Sequence, residues 1–267
     1  YAYGVPPATL RERYYEAHDL VMQAWLRPEV FSFNGKYTQL RYVNIWPRPI
    51  QKPHPPVWIP GGGSVETWEW TARQDYVYCY LSYFGYKHGK KTMDGFWEAI
   101  ARLGVDDNPY RAGFLQLVGL SETDAQAEKD YRPHVHYFYQ KCLNVWEGFA
   151  EAPGYRTVRT LQAGSRPQVG LAARQIRQAL TWKDYVEQGY IIAGSPATVR
   201  EALRDCIETL RVGHLMVLLQ IGSMPKDLTL KNIELFGREV LPHMRDLWAG
   251  YKDRWWPSGA AQALSSA

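Results

Sequence analysis

The chain has 267 residues, a length that fits one large domain or two small ones. It is 46 % hydrophobic and 22 % charged with both signs mixed, which excludes a disordered chain. The net charge of +4 is scattered, with no basic stripe to track a phosphate backbone, so nucleic acid is not an expected partner. No apolar run approaches the roughly 20 residues that span a bilayer, and Tyr1 to Pro7 carries neither the charged nor the apolar region of a secretion signal. Cys79, Cys142 and Cys206 stand far apart and are odd in number. That speaks against a disulfide framework and a cysteine zinc site, and fits a reducing cytoplasm. Aromatic residues reach 14 %, enough to line a flat-walled apolar pocket.

In chain order, Thr9-x-x-Glu12 reads as a capping box before a helix whose apolar residues recur from Leu10 to Trp25, with Pro28 ending it. Phe31 to Tyr37, with Asn34-Gly35 between alternating aromatics, signals a tight hairpin. Five prolines between Pro47 and Pro56 impose an extended connector. Then the rhythm changes. Four apolar strands are expected at 57–59, 76–82, 113–120 and 214–222, alternating with helices near 64–73, 91–103, 121–137, 196–213 and 228–247. Residues 150–168 read as a loop, followed by a helix to about 188. Ile191 to Gly194 reads as a short buried element, with Ser195 as helix cap and Pro196 at the first helical position. The end, from Trp255, reads as frayed. Such alternation predicts a parallel α/β sheet covered by helices. A (β/α)₈ barrel of ~250 residues would need twice the strands counted.

The sharpest chemical feature is Pro60-Gly61-Gly62-Gly63-Ser64 between a strand and a helix. Bare glycine amides, a hydroxyl and the positive end of the helix suit a phosphate, with the Gly62 and Gly63 amides, Ser64 and Thr67 as donors. The residues alone leave a phosphate site and an empty βα turn equally open. Neither a P-loop nor a dinucleotide fingerprint applies, since the Walker lysine and the full G-x-G-x-x-G spacing are missing. Gly194-Ser195-Pro196 offers the same chemistry but is fully explained by helix initiation. The seven histidines show no metal-ligand spacing, and no G-x-S-x-G nucleophile elbow occurs. Asp106-Asp107 reads as loop chemistry. The Tyr76, Tyr78, Tyr80 alternation fits a core or a pocket wall.

Several motifs, kept in order over about residues 3 to 247, carry a family resemblance. They are Arg13-Tyr-Tyr-Glu16-Ala17, Asn34-Gly35-Lys36, Trp46-Pro47-Arg48-Pro49, Pro55 through Ser64, Gly194-Ser195-Pro196, Leu228 through Phe236, and Pro242-His243. Together they resemble the bacterial luciferase-like flavin monooxygenases. The resemblance implies the C-terminal portion, about four βα units, of a (β/α)₈ TIM barrel with a long insert and a helical C-terminus. It places a partial barrel domain at 1–248 and a flexible tail at 249–267. About four further βα units would precede Tyr3-Gly4-Val5-Pro6, and the absence of Met at position 1 fits a fragment, a truncated product or a partner-dependent half.

The implied activity is oxygenation of a small organic substrate with reduced FMN and O₂. A separate flavin reductase supplies the cofactor, one oxygen enters the substrate and the other leaves as water. The deazaflavin F420 is the alternative cofactor, and the Gly-Gly-Gly-Ser form leans toward FMN. By resemblance, Gly61, Gly62, Gly63, Ser64 and Thr67 hold the flavin phosphate, Tyr3 and Gly4 lie in a segment passing the cofactor, and Tyr80 and Ser82 line the flavin ring. Catalytic groups on the N-terminal strands have no counterpart to name here. Two other functions stay open: a non-catalytic half-barrel module that pairs with a partner chain or a second copy, and a barrel enzyme using the glycine turn for a phosphorylated substrate.

Overall fold

A computed structural model describes residues 3–143, 146, 152, 154–163 and 171–256. It divides into two compact units, 1–57 with 152–157 and 256–267, and 58–151 with 158–255. The sequence by itself reads as one domain over 1–248 with a tail from 249.

In the first unit, α1 (Leu10–Leu26) precedes a hairpin of β1 (Phe31–Asn34) and β2 (Gln39–Val43), paired antiparallel. Phe33 and Val43 from the hairpin and Ala24 from the helix form a small core. The expected capping box does not form: the Thr9 hydroxyl donates to Pro6 O instead. Glu12 turns to the hairpin, where its carboxylate accepts from Lys36 Nζ (2.8 Å) and Tyr37 Oη (2.5 Å). Those two donors outcompete the local cap.

The second unit is built on five parallel strands: β3 (Trp58–Gly61), β4 (Val77–Leu81), β5 (Ala112–Leu120), β6 (Ile192–Gly194) and β7 (His214–Leu218). β3 pairs β4 and β4 pairs β5. The first half of β5 also pairs β7, and its last residues, Val118 to Leu120, pair β6. Helices connect them: α2 (Val65–Arg73), α3 (Tyr86–Arg102), α4 (Asp124–Tyr137), α5 (Val158–Gln162), α6 (Leu171–Gln178), α7 (Trp182–Glu187), α8 (Pro196–Leu210) and α9 (Lys226–Leu235). The four expected strands are all present, and the short buried element at Ile191 to Gly194 is a fifth. The strand expected to 222 stops at Leu218. The last helix breaks up after Leu235 into a π-helical turn, Phe236–Val240, and a 3₁₀ turn, Leu241–Met244, where Pro242 has no N–H to give. Of the expected loop at 150–168, residues 152 and 154–163 are described, and Val158–Gln162 within it form the short helix α5.

Strand alternation sorts the side chains onto two faces. Tyr78, Tyr80, Ala112 and Phe114 point to the helices and pack with Trp68, Met93, Phe96 and Val199. Val77, Cys79, Gly113, His214 and Met216 point the other way. A Cβ on Gly113 would lie 3.1 Å from Cys79 Sγ and 3.5 Å from the His214 Cβ. Trp58 on β3 and His214 on β7 have ring centroids only 4.5 Å apart, although β4 and β5 stand between their strands. In a flat sheet three strand spacings are about 14 Å. The sheet therefore curls, with this face concave, as a segment of a barrel must.

Among the described residues, Trp255 and Tyr131 cover parts of the concave face. At the strand starts, Trp255 packs on Val77 and Cys79, and its indole N–H donates to Asp75 O (2.7 Å). The frayed end read from the sequence thus begins no earlier than Trp256, and 257–267 lie outside the described residues. At the far end of β5, the Tyr131 ring of α4 lies on Gly119, while its hydroxyl donates to Leu120 O (2.6 Å). No helix among the described residues is long and apolar enough to cross a membrane.

Candidate functional site

The glycine turn sits at the carboxyl end of β3 and opens into α2. Each glycine has a distinct reason to be there. A Cβ on Gly61 would stand 2.3 Å from the Tyr78 ring, so the turn can lie flat on that ring only without a side chain. Gly62 faces open space. Gly63 has φ +98°, a region that L side chains rarely adopt. Ser64 then caps α2 with extended backbone. At a helix start the first N–H groups, here those of Val65 and Glu66, have no partner within the helix. A Gly62 exposed on one side and a helix tip on the other make a shallow cradle for an anion.

Beneath the cradle is a buried polar layer. Tyr78 is fully buried, its oxygen would lie 3.0 Å from a Cβ on Gly61, and it makes no hydrogen bond. Burial pushes its phenol pKa up, opposed by the Trp68 indole and the Gly63 amide, which face the oxygen. Trp68 Nε1 is likewise buried without a partner. Such groups keep the turn polar from below.

The hydroxyl of Ser64 does not point to an incoming ligand. It donates to Glu66 Oε2 (3.0 Å), and Thr160 Oγ1 of α5 donates to the same oxygen (2.8 Å). One turn on, Glu69 pairs with Arg102 (2.7 Å) and Arg159 (2.5 Å). The Arg159 hydrogen bond leads the effects that lower its carboxyl pKa. Glu66, Tyr78, Trp68 and Thr160 therefore belong to this site although the sequence did not single them out as donors. Only Tyr78 carried a signal, as the middle ring of its alternation.

Gly61, Gly62, Gly63, Ser64 and Thr67 come together on one turn. Tyr80 and Ser82 do not join them. Tyr80 is 4 % exposed in the helix-facing core, and a Cβ on Gly89 of α3 would stand 3.0 Å from its ring and 3.3 Å from the Ser82 Cβ. Ser82 Oγ accepts from the Phe84 amide (3.3 Å). Both were expected to line the flavin ring, but strand phase turns them to α3 and leaves Leu81 for the opposite face. Tyr3 lies in the other unit and is exposed.

The second helix start, at Ser195, is filled by the protein itself. Asp124 Oδ1 accepts from the Ser195 N–H (2.6 Å) and the Thr198 hydroxyl (2.9 Å). The Ser195 amide is the leading cause of its lowered pKa. That start needs no ligand. Asp106 and Asp107 are paired with Arg111 and Arg211, as loop chemistry requires. Beyond β4, the Arg177 guanidinium lies fully buried 5.8 Å over the Phe84 ring, among Tyr139, Tyr185 and Tyr190. Among the described residues no group of three or more His, Cys, Asp or Glu is arranged to hold a metal ion.

The sequence profile of the luciferase-like monooxygenases matches residues 2–213. The chain belongs to that family. This luciferase-like chain is 25 % identical over 228 residues to y4wF, an uncharacterized protein of Sinorhizobium fredii (strain NBRC 101917 / NGR234). The match covers 85 % of this chain and 60 % of y4wF. Among solved structures it shares its fold with monooxygenase RslO1 from Streptomyces bottropensis, at 18 % identity and a TM-score of 0.62 over 91 % of this chain and 64 % of that one. It also shares it with the oxygenating constituent of 3,6-diketocamphane monooxygenase from the CAM plasmid of Pseudomonas putida, a structure in complex with FMN. There the identity is 19 % and the TM-score 0.60, over 91 % and 66 % of the two chains. The luciferase-like chain thus spans less than two thirds of the length of each. The curled parallel sheet with a long insert after β5 is the partial barrel of that family.

Proposed function

We propose that this chain is part of a flavin-dependent monooxygenase that takes reduced FMN from a reductase and uses O₂ to oxygenate a small organic substrate. The observation that carries the reading is the Gly61–Ser64 turn: a bare-backbone cradle at the carboxyl end of a parallel strand, closed by a helix N-terminus. Family membership and the FMN held by the similar Pseudomonas putida constituent support it.

When bound, reduced flavin would supply the electrons for oxygen transfer. This chain's own residues would bind and orient it. The Gly62 amide and the first turn of α2 would hold the phosphate, and Tyr78 would set the height of the turn by supporting Gly61 from below and facing the Gly63 amide. Packing of aromatic side chains such as Tyr131 over the carboxyl end of β5 keeps water from that part of the sheet.

The test is a titration of flavin fluorescence with the chain and with Gly63→Val. A β-branched residue at φ +98° carries roughly 1–3 kcal/mol of strain and pulls the amide out of place, so FMN affinity should fall about tenfold or more. Equal affinity in both proteins counts against the phosphate assignment. F420 in the same titration decides between the two cofactors, and a phosphorylated small molecule that competes where FMN has no effect would favour the phosphorylated-substrate reading.

A further inference from the structure

Lys252 to Trp255 form a strap across the strand starts. Trp255 is 5 % exposed and sits on Val77 and Cys79, with Trp58, Tyr110 and Met216 around it. Two guanidiniums lie over its ring, Arg254 at 4.3 Å and Arg111 at 5.0 Å. Both arginines pair with the same two carboxylates. Arg254 reaches Asp75 (2.9 Å) and Asp106 (2.7 Å), and Arg111 reaches Asp75 (2.7 Å) and Asp106. The Lys252 carbonyl accepts from Asn108 Nδ2 (2.8 Å), and the Trp255 amide donates to Asp253 Oδ1 (3.0 Å).

Beneath the strap lies a titratable ring. His214, at the start of β7, is 8 % exposed, and its Nε2 makes no hydrogen bond. The ring packs on Trp58 and on Tyr110, with centroids 4.5 Å and 5.4 Å away. Asp253 Oδ1 of the strap stands 3.7 Å from Nε2, too far for a hydrogen bond. The other titratable groups beside it are the Tyr110 phenol and, across Gly113, the Cys79 thiol; burial raises the pKa of both and keeps them neutral. Burial also disfavours the imidazolium. It outweighs the attraction of Asp253 and a hydrogen bond with the Tyr110 backbone, so the His214 pKa falls below the ordinary histidine value.

We infer that the strap is a pH-sensitive closure: protonation of His214 drives Trp255 off the strand starts, because only the open strap lets water reach the imidazolium. A histidine that is less basic under the closed strap than in the open one links the two states. Closure is at full strength above the open-state value of about 6.5, and it weakens as pH falls from there toward the lowered closed-state value. The ion pairs do not release first. Burial raises the Asp106 pKa, but the hydrogen bonds from Arg254 and Arg111 outweigh it and hold the carboxyl below its usual range. Asp106 is therefore still ionised when His214 takes its proton.

The experiment labels the 267-residue chain with dithiodipyridine at pH 8 and at pH 5 and follows each cysteine by mass spectrometry. Cys79 lies under Trp255 and reports the strap. Exposed Cys142 gives the reference rate at each pH, and Cys206, in the helix-facing core, reports opening of the whole unit. From pH 8 to pH 5 the Cys79 to Cys142 rate ratio should rise about tenfold or more while Cys206 stays protected. His214→Phe keeps a ring against Trp58 and cannot be protonated, and His214→Gln does the same with a smaller polar group. Both should remove the rise. Arg254→Ala, which loosens the strap directly, should raise the ratio at both pH values. The switch is overturned by a ratio that does not rise, that rises as much in the His214 variants, or that rises only in step with Cys206. It is equally overturned if Arg254→Ala labels like the wild type, since the strap is then not what shields Cys79.

Discussion

Glu16 ties two sequence motifs into one object. Both its oxygens accept from the Tyr37 amide (3.0 Å each), and Oε1 also accepts from the Thr38 amide (2.7 Å). A Cβ on Gly35 would stand 2.4 Å from its carboxyl carbon, so only glycine lets the hairpin tip come this close to α1. Burial pushes the Glu16 pKa up, and the Tyr37 and Thr38 amides outweigh it, so the value falls below the ordinary one. A carboxyl that is more acidic folded than unfolded contributes stability above its unfolded pKa of about 4.3. That contribution is lost as pH falls through the lowered folded value. The amide proton resonances of Tyr37 and Thr38 should therefore move in one step below about pH 4.3, and Glu16→Gln should abolish the step. A step centred above that value would contradict the amide cradle.

At the scale of elements, Asn232 of α9 explains why Leu228 to Phe236 carries a recognisable motif. It is fully buried. Its carbonyl accepts from the Leu120 amide (2.8 Å), and its amide donates to Val118 O and Leu219 O (2.8 Å each). One side chain thus pins the end of β5 to the chain leaving β7, where neither strand can bond the other directly. Asn232→Ala leaves three backbone groups short of a partner and should cost about 2–4 kcal/mol in urea unfolding. Loss of under ~0.5 kcal/mol would mean that water replaces all three bonds.

The same scale shows what the sequence could disclose. Long apolar strands such as Ala112–Leu120 and helix starts such as Ser195-Pro196 depend on neighbours in the chain, and both were legible. Ile192–Gly194 has three residues, too few to display a period. Alternation along β4 separates Tyr80 from Leu81 but does not say which face is concave, and Tyr80 and Ser82 lie on the side of α3. The hydrogen bond from Thr160 to Glu66 joins residues ninety-four apart, and no local pattern encodes that pairing. The burial of Trp255 is equally remote in origin, since Asp75, Val77 and Cys79 make its site.

For the molecule as a whole, the curled sheet separates two interiors, and the cysteines sample both. Cys79 lies on the concave face against Val77 and Trp255, and burial pushes its thiol up to about 12. Cys206 is on α8 in the helix-facing core, where burial again raises its pKa. Cys142, in the π-helical turn after α4, is exposed. Only the thiolate attacks a disulfide reagent, so the two buried sulfurs are protected both by access and by protonation. With Ellman's reagent at pH 8, one thiol should react within the mixing time and two only as the protein unfolds. Because Cys79 and Cys206 lie in different layers of the same cooperative unit, they should be released together along the urea transition. Early release of Cys79 alone would show that the segment around Trp255 detaches before the sheet does, and that the concave face is closed by a strap with a stability of its own.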